Sequence, residues 1–453
     1  MEDQCVITRE ITVASGVFAP GHLGELTQIV PFEMVDQALA ATGTTQARIR
    51  VLPSRVVVYL LLAGCLFAEL GYRQVWHKLT AGLGTLAVAE PSDNALWQAR
   101  ARLGAAPMRW LFDLLRGPAT GMTAGSVRWH GLLVCAIDGT TMTVPDSPRN
   151  LAVYGKQAGS HGGSGYPLLR LVALVACGTR TLIDAVSGPA SCGELDYAGR
   201  LRRSLHAGML VLADRNFGAA ALIGQLAATK AHLLVRLKAN RKLPVLRRYA
   251  DGSYLSQIGA VQVRVVECQI TIATSAGRHT GAYRLATTLL DHRQHPAAAL
   301  VTLCHRRWEI ETAYLEPKSS ILGGRVLRAR SPAGLAQELY ALLACYQVLR
   351  IAITDAIEAT GSIDPDRGSF TIALNAARDL LTQAANVIAG TAVDLIGAIG
   401  RRVLDNLLPD RRLRASPRIV KRAISKYQAR GPNINRRSYK ATLDINILTA
   451  AGP

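Results

Sequence analysis

The stretch Leu132–Thr141, LLVCAIDGTT, sets the frame for the chain. Six residues that are apolar or small run from Leu132 to Ile137 and stop at Asp138-Gly139. Such a run, too short for a helix and closed by a turn pair, reads as a buried strand. Met209–Gly218, MLVLADRNFG, repeats the arrangement and ends in Asp214. Between the two lie Leu168–Cys177 and Thr181–Val186, read as strands, and a helix over Leu195–Leu205. Ala219–Lys230 follows as a helix and His232–Lys238 as a strand. Strands alternating with helices predict an α/β core. In such sheets ligands gather where strands end, which makes Asp138 and Asp214 candidate site residues. A lone Asp there is also a common helix cap or turn residue.

Outward from this core the texture changes. Residues 1 to about 125 read as helical, over Leu23–Ala41, the Val56 run and Ser92–Leu115, with Gly82, Gly84 and Gly117 as breaks. Val261–Ala273, VQVRVVECQITIA, alternates and is β-branched, and Tyr283–Asp291 resembles it, so 239–295 reads as a β-rich insertion. Helix resumes over Pro296–Lys318 and Leu335–Ile357. The expected domains are therefore 1–125, 126–238, 239–295, 296–390 and a basic extension over 391–453.

Of the 453 residues, 49% are hydrophobic and 19% charged, enough to bury a core and against general disorder. Lys and Arg number 52 against 32 acids, a net charge of +20. That balance favours a polyanionic partner, nucleic acid before others. Residues 401–440 carry thirteen Lys and Arg against Asp405 and Asp410, a net +11, with Arg411, Arg412, Arg414, Arg418, Lys421 and Arg422 at their centre. Cations at this density suit phosphate contacts. The eight cysteines are scattered with no C-x-x-C pair, the pattern of reduced thiols. MEDQCVITRE is too acidic and polar for a signal peptide. Val56–Ala68 is apolar but far short of the roughly 20 residues a membrane span needs, so no membrane partner is expected.

Several chemistries are excluded. The Gly-rich GSHGGSGYP loop enters a strand, not a helix, so it lacks the context of a phosphate-binding fingerprint. Asp-Gly-Thr-Thr invites comparison with haloacid-dehalogenase-like phosphatases, but Ala136 stands where their nucleophilic Asp belongs. No H-E-x-x-H, G-x-S-x-G or Walker motif is present.

In CHRRWEIETAYLEPKSS, helical spacing places Arg307, Glu311, Tyr314 and Lys318 on one face. An ordinary Arg–Glu surface pairing would give the same spacing. Three converging carboxylates instead require a cation, and oxygen ligands select Mg²⁺ or Mn²⁺. These segments resemble transposases of the insertion-sequence-4 type. AIDGTTMTVPDSPRN resembles the first-Asp motif of that family and VLADRNFGA the second. The signature Y-x2-R-x3-E-x6-K is matched by Cys304, Arg307, Glu311 and Lys318. RRWEIE, YPLLRLVALVACGTRTLIDA and, in the helical N-terminal part, LWQARARLGAAP extend the likeness over most of the chain.

The resemblance implies an RNase H-like catalytic core interrupted by the β-rich insertion. It implies that Asp138, Asp214 and Glu311 hold two Mg²⁺ or Mn²⁺ ions that cleave and join DNA, with a hairpin intermediate. Arg307, Lys318, the Cys304 position, Arg215 and the basic extension would contact DNA, both terminal inverted repeats and target. A homodimer would pair the ends, in a bacterial cytoplasm on the nucleoid. Two departures stand out: Cys304 replaces the signature tyrosine, and Pro317 precedes Lys318, where proline kinks a helix. They leave a catalytically impaired, transposase-derived DNA-binding protein as the alternative.

Overall fold

The computed structural model describes residues 23, 26–27, 29–46, 50–81, 88–118, 127–156, 165–304, 313–360, 363–383, 397–409, 414–415 and 439–448. They fall in two compact units, one of residues 1–124, 143–150 and 313–409, the other of 125–142, 151–312 and 410–453.

The helical unit begins with α1 (Phe32–Ala41), α2 (Ser54–Leu66), α3 (Tyr72–Thr80), α4 (Asp93–Leu103) and α5 (Ala106–Leu115). Ser92–Leu115, read from sequence as one stretch, is broken at Gly104, whose φ of 69° is open to glycine and strained for other residues. α2 is buried at every position but Arg55, which accounts for its unbroken apolar run.

The sheet unit contains β1 (Arg128–Trp129) and β2 (Leu132–Thr143). The chain passes through α6 (Pro148–Tyr154), whose residues 148–150 belong to the helical unit and 151–154 to the sheet unit, before β3 (Leu168–Ala176) and β4 (Leu182–Pro189). After α7 (Glu194–Arg200) come β5 (Met209–Ala213), α8 (Ala220–Ala227) and β6 (His232–Leu237). The β-rich stretch supplies β7 (Arg247–Arg248), β8 (Tyr254–Ile258), β9 (Val261–Thr274) and β10 (Gly277–Thr287), followed by α9 (Ala297–Cys304). The helical unit resumes with α10 (Pro332–Glu358), α11 (Phe370–Gln383) and α12 (Ala398–Leu404), and β11 (Arg414–Ala415) and β12 (Tyr439–Ile447) return to the sheet unit.

Strands run in the order β11-β12-β9-β10-β6-β5-β2-β3-β4. β2, β5 and β6 are parallel neighbours, and β3 and β4 are antiparallel. This is the RNase H-like arrangement. Met209–Ala213 is buried throughout, as a central parallel strand must be, which explains its continuous apolar character. The β-rich segment extends this sheet, because β10 pairs antiparallel with β6 and β9 with β10. β12, within the stretch read as a basic extension, adds to β9 as a further strand.

α10 is long and apolar enough to cross a membrane, yet it is mostly buried inside the protein. Its polar residues close the ends of other helices. Gln337 Nε2 donates to the carbonyls of Arg100 (3.0 Å) and Gly104 (2.6 Å), and Gln347 Nε2 to those of Leu115 (3.0 Å) and Gly117 (3.1 Å). Arg328 donates to Gly64 and Leu70 at the end of α2, where Arg378 also reaches Leu66. Helix C-termini leave carbonyls without intrahelical partners, and burying one unbonded costs about 1–3 kcal/mol.

Candidate active site

β2 and β5 pair in parallel with Ile137 opposite Ala213. Asp138 and Asp214 are the next residues on each, so the carboxylates follow in register on strands about 4.8 Å apart. Both are half-buried. Asp138 Oδ1 accepts the N–H of Gly139 (2.8 Å), and Asp214 Oδ1 accepts that of Asn216 (2.7 Å), opening a short 3₁₀ turn over Arg215–Phe217. One sequence expectation needs correction. Asp214 does follow the end of its strand, but Asp138 lies inside β2, which continues to Thr143. Burial and the pairing with β5 stop at Ile137, and the sequence signal marked that limit instead of the end of the strand.

Two other acids of the sheet unit are otherwise engaged, Glu194 beside β2 and Asp184 on β4. Glu194 lies against Gly139, where an added Cβ would come within 2.6 Å of its carboxylate and displace that side chain. Side chains of adjacent strand residues point to opposite faces, which separates Glu194 from the Asp138 side. Asp184 is fully buried and grasped by Arg203 through two bonds of 2.8 Å, with Ser204 adding a third.

Directly beyond Asp214 is a cavity of about 690 Å³ lined by Arg215, Asn216, Arg236, Lys238, Tyr283, Arg284 and Glu267, among others. Glu267 pairs with Arg284 at 2.7 Å and accepts the Tyr254 hydroxyl at 3.0 Å. Burial first, then that bond, pushes Tyr254 up to about 12. The Arg236 guanidinium sits 4.1 Å from the Tyr283 ring centroid. Arg284 also donates to the carbonyls of Ala239 (3.1 Å) and Arg241 (2.6 Å), tying down the loop after β6. The sequence reading named Arg215 here and missed Arg236 and Lys238. Their i, i+2 spacing at a strand end, which directs both to one face, was the available signal.

Of the remaining expected residues, Cys304 closes α9 and is half-buried. Burial, and next the nearby Cys304 thiol, push Cys268 up to about 11. Lys318 belongs to the helical unit, in a π-helical turn over Glu316–Ile321. The proline that was expected to kink a helix thus stands in a widened turn. Arg307, Glu311, Arg411, Arg412, Arg418, Lys421 and Arg422 lie outside the described residues, and so does the side chain of Arg414. Among the described residues no three potential metal ligands converge. The two aspartates offer oxygen donors only, the chemistry that suits a hard divalent cation.

An RNase H-like sheet bearing paired aspartates, in a segment (129–348) that matches the transposase DDE domain family, defines an enzyme of the transposase class. Residues 20–113 match the N-terminal domain of insertion element 4 transposases. The chain is 26% identical to the transposase InsG for insertion sequence element IS4 of Escherichia coli K12, over 87% of this chain and 91% of that one. InsZ of the same strain, also described as a transposase, is 30% identical over 42% of this chain and 62% of its own. A piggyBac transposase synaptic complex with hairpin DNA superposes over 88% of this chain and 85% of that one, at 11% identity. Its TM-score is 0.42. The chain belongs to the DDE transposases of the insertion-sequence-4 type. That membership implies a general dependence on divalent metal and DNA as the partner.

Proposed function

We propose that this transposase binds the terminal inverted repeats of its insertion sequence. It then cleaves and transfers strands with two Mg²⁺ or Mn²⁺ ions held by Asp138, Asp214 and Glu311. The observation that carries the reading is the register of Asp138 and Asp214 beside a cavity rich in cations. Two divalent ions at such a site activate an attacking oxygen and stabilise the leaving oxygen of a phosphodiester. The chain's own contribution is orientation. The N–H groups of Gly139 and Asn216 each fix one carboxylate oxygen. Arg215, Arg236 and Lys238 hold phosphates of the strand beyond Asp214, with Arg307 and Lys318 near the cleaved end. A hairpin intermediate, a homodimer joining two ends and action on the bacterial nucleoid complete the reading.

The helical N-terminal part (1–125) and the cations of 401–440 contribute to end binding. Because Tyr439–Ile447 is a strand of the sheet, single substitutions at Arg411, Arg412, Arg414 or Arg418 test this better than truncation.

The deciding experiment is cleavage of a labelled duplex bearing the element's end in Mg²⁺, Mn²⁺ or Ca²⁺, with Asp138→Ala, Asp214→Ala and Glu311→Ala beside the parent. Nicking in Mg²⁺ or Mn²⁺ that vanishes in all three variants is expected. Binding without nicking under any metal would reject the catalytic reading in favour of the impaired DNA-binding descendant, the reading that Cys304 at the tyrosine position favours.

A further inference from the structure

Two residues before Lys318, Glu316 is buried at 7% exposure, facing an Arg350 that is only 1% exposed. Arg350 Nε donates to Glu316 Oε2 at 3.0 Å, and its Nη2 donates a second bond to Oε1. The guanidinium also lies 5.4 Å from the Phe370 ring centroid. Burial works against its charge, but Glu316 and Tyr346 together outweigh burial and hold the Arg350 pKa above its ordinary value.

The backbone between is unusual. Pro317 has no N–H to donate back along the helix. The chain widens into the π-helical turn Glu316–Ile321, in which the Leu322 N–H reaches the Pro317 carbonyl at 3.0 Å. The carbonyl of Lys318 accepts the Gly324 N–H at 2.8 Å, closing the turn through Gly323 (φ 59°) and Gly324 (φ 71°). Ile321 is buried at 1% exposure. Lys318 is therefore held on a single turn, anchored before it by the Glu316 carboxylate and after it by Ile321 and the glycine pair.

A buried ion pair is seldom more stabilising than an apolar pair of the same volume, so one placed here points to geometry more than to stability. π-turns of this kind recur at functional sites. We infer that Glu316 and Arg350 are positioning residues that set where the Lys318 ammonium meets DNA phosphate. The inference rests on the proposed role of Lys318 as a DNA-end contact. It assigns Glu316, an acid beside the signature that the metal site does not use, a task of its own.

The test is a thermodynamic cycle on end binding by the full chain, using the same labelled duplex across a salt series. Lys318→Ala should weaken binding about tenfold and lower the slope of log affinity against log salt by about 1, one phosphate contact. The apolar double variant Glu316→Met/Arg350→Leu should melt near the parent temperature yet show the same reduced slope. Adding Lys318→Ala to it should then cost nothing more, since contacts that act through one another are not additive. Glu316→Gln alone leaves a buried cation without its anion and should lower the melting temperature, which separates folding from positioning. A double variant that keeps the parent slope, or whose loss adds in full to that of Lys318→Ala, overturns the inference. So does a Lys318→Ala protein that binds as the parent does, although metal-dependent nicking that vanishes with Asp138→Ala would still stand. Failure of that nicking with the cycle intact rejects the catalytic reading alone.

Discussion

Two regions of the molecule, the helical unit and the cavity of the sheet unit, use arginine in opposite ways, while elsewhere in the sheet unit Arg203 and the fully buried Arg264 also bond inward. In the helical unit Arg328, Arg350 and Arg378 are drawn inward, bonded to Glu338, Glu316, Glu69 and the carbonyls that end α2. In the sheet unit Arg215, Arg236 and Lys238 line a cavity in which Glu267, the one acid among its described lining residues, is paired with Arg284. Inward arginines keep a backbone in place, whereas cations left along an opening serve a partner that arrives from outside. The contrast teaches that a net charge of +20 says little until each cation is assigned to one of these two tasks.

The largest effect should come from the sheet unit without any loss of stability. Asp138→Ala or Asp214→Ala is expected to reduce nicking by about 10⁴-fold, roughly 5 kcal/mol at the barrier. Melting should stay unchanged or rise, because two adjacent carboxylates repel each other. A large fall in melting temperature would show that the pair is structural and would break the contrast. In the helical unit the order reverses. Arg350→Met should cost about 3–5 kcal/mol in denaturant unfolding by leaving Glu316 buried without its cation. A cost near zero would place Arg350 with the outward cations. Gln347→Leu should follow at about 1–3 kcal/mol, as the α5 carbonyls lose their donor. Arg215→Ala with Arg236→Ala should shift stability by less than about 0.5 kcal/mol while lowering the DNA salt slope by about 2. An unchanged slope would remove the cavity from the DNA path.

The smallest effect concerns His295, buried beside Trp129 and His130. Burial first, then His130 and Arg264, lowers its pKa below the ordinary 6.5. Unfolding lets it take up a proton in the window between the lowered value and 6.5. Stability should therefore rise with pH through that window and level off above it. His295→Gln should flatten that part of the profile, and a profile the parent and variant share would assign the dependence to other groups.

Much of the sheet was legible because its signals are local. Leu132–Ile137 and Met209–Ala213 are apolar on both faces, and each run stops at an aspartate of the proposed site. The addition of β10 to β6 and of β12 to β9 was not legible, since alternation identifies a strand but not its neighbour. Nor could Gln337 and Gln347 have been singled out. A glutamine in an apolar helix has no periodic signature that names a carbonyl more than 200 residues away. Nor does helical spacing name the partner of Glu316, because its ion pair with Arg350 depends on the packing of α10.

Those distant bonds set a schedule for the ribosome. The ends of α2, α4 and α5 receive their side-chain donors from residues 230 to 312 positions further along the chain. At about 5–20 residues per second, the first helices wait roughly ten seconds to a minute for partners still being synthesised. During that interval the apolar length of α2 must be shielded by chaperones or remain open to aggregation. A fragment ending near residue 125 would stay in that exposed state, and one protease or one early stop codon would then remove the nascent chain before it ever became a nuclease.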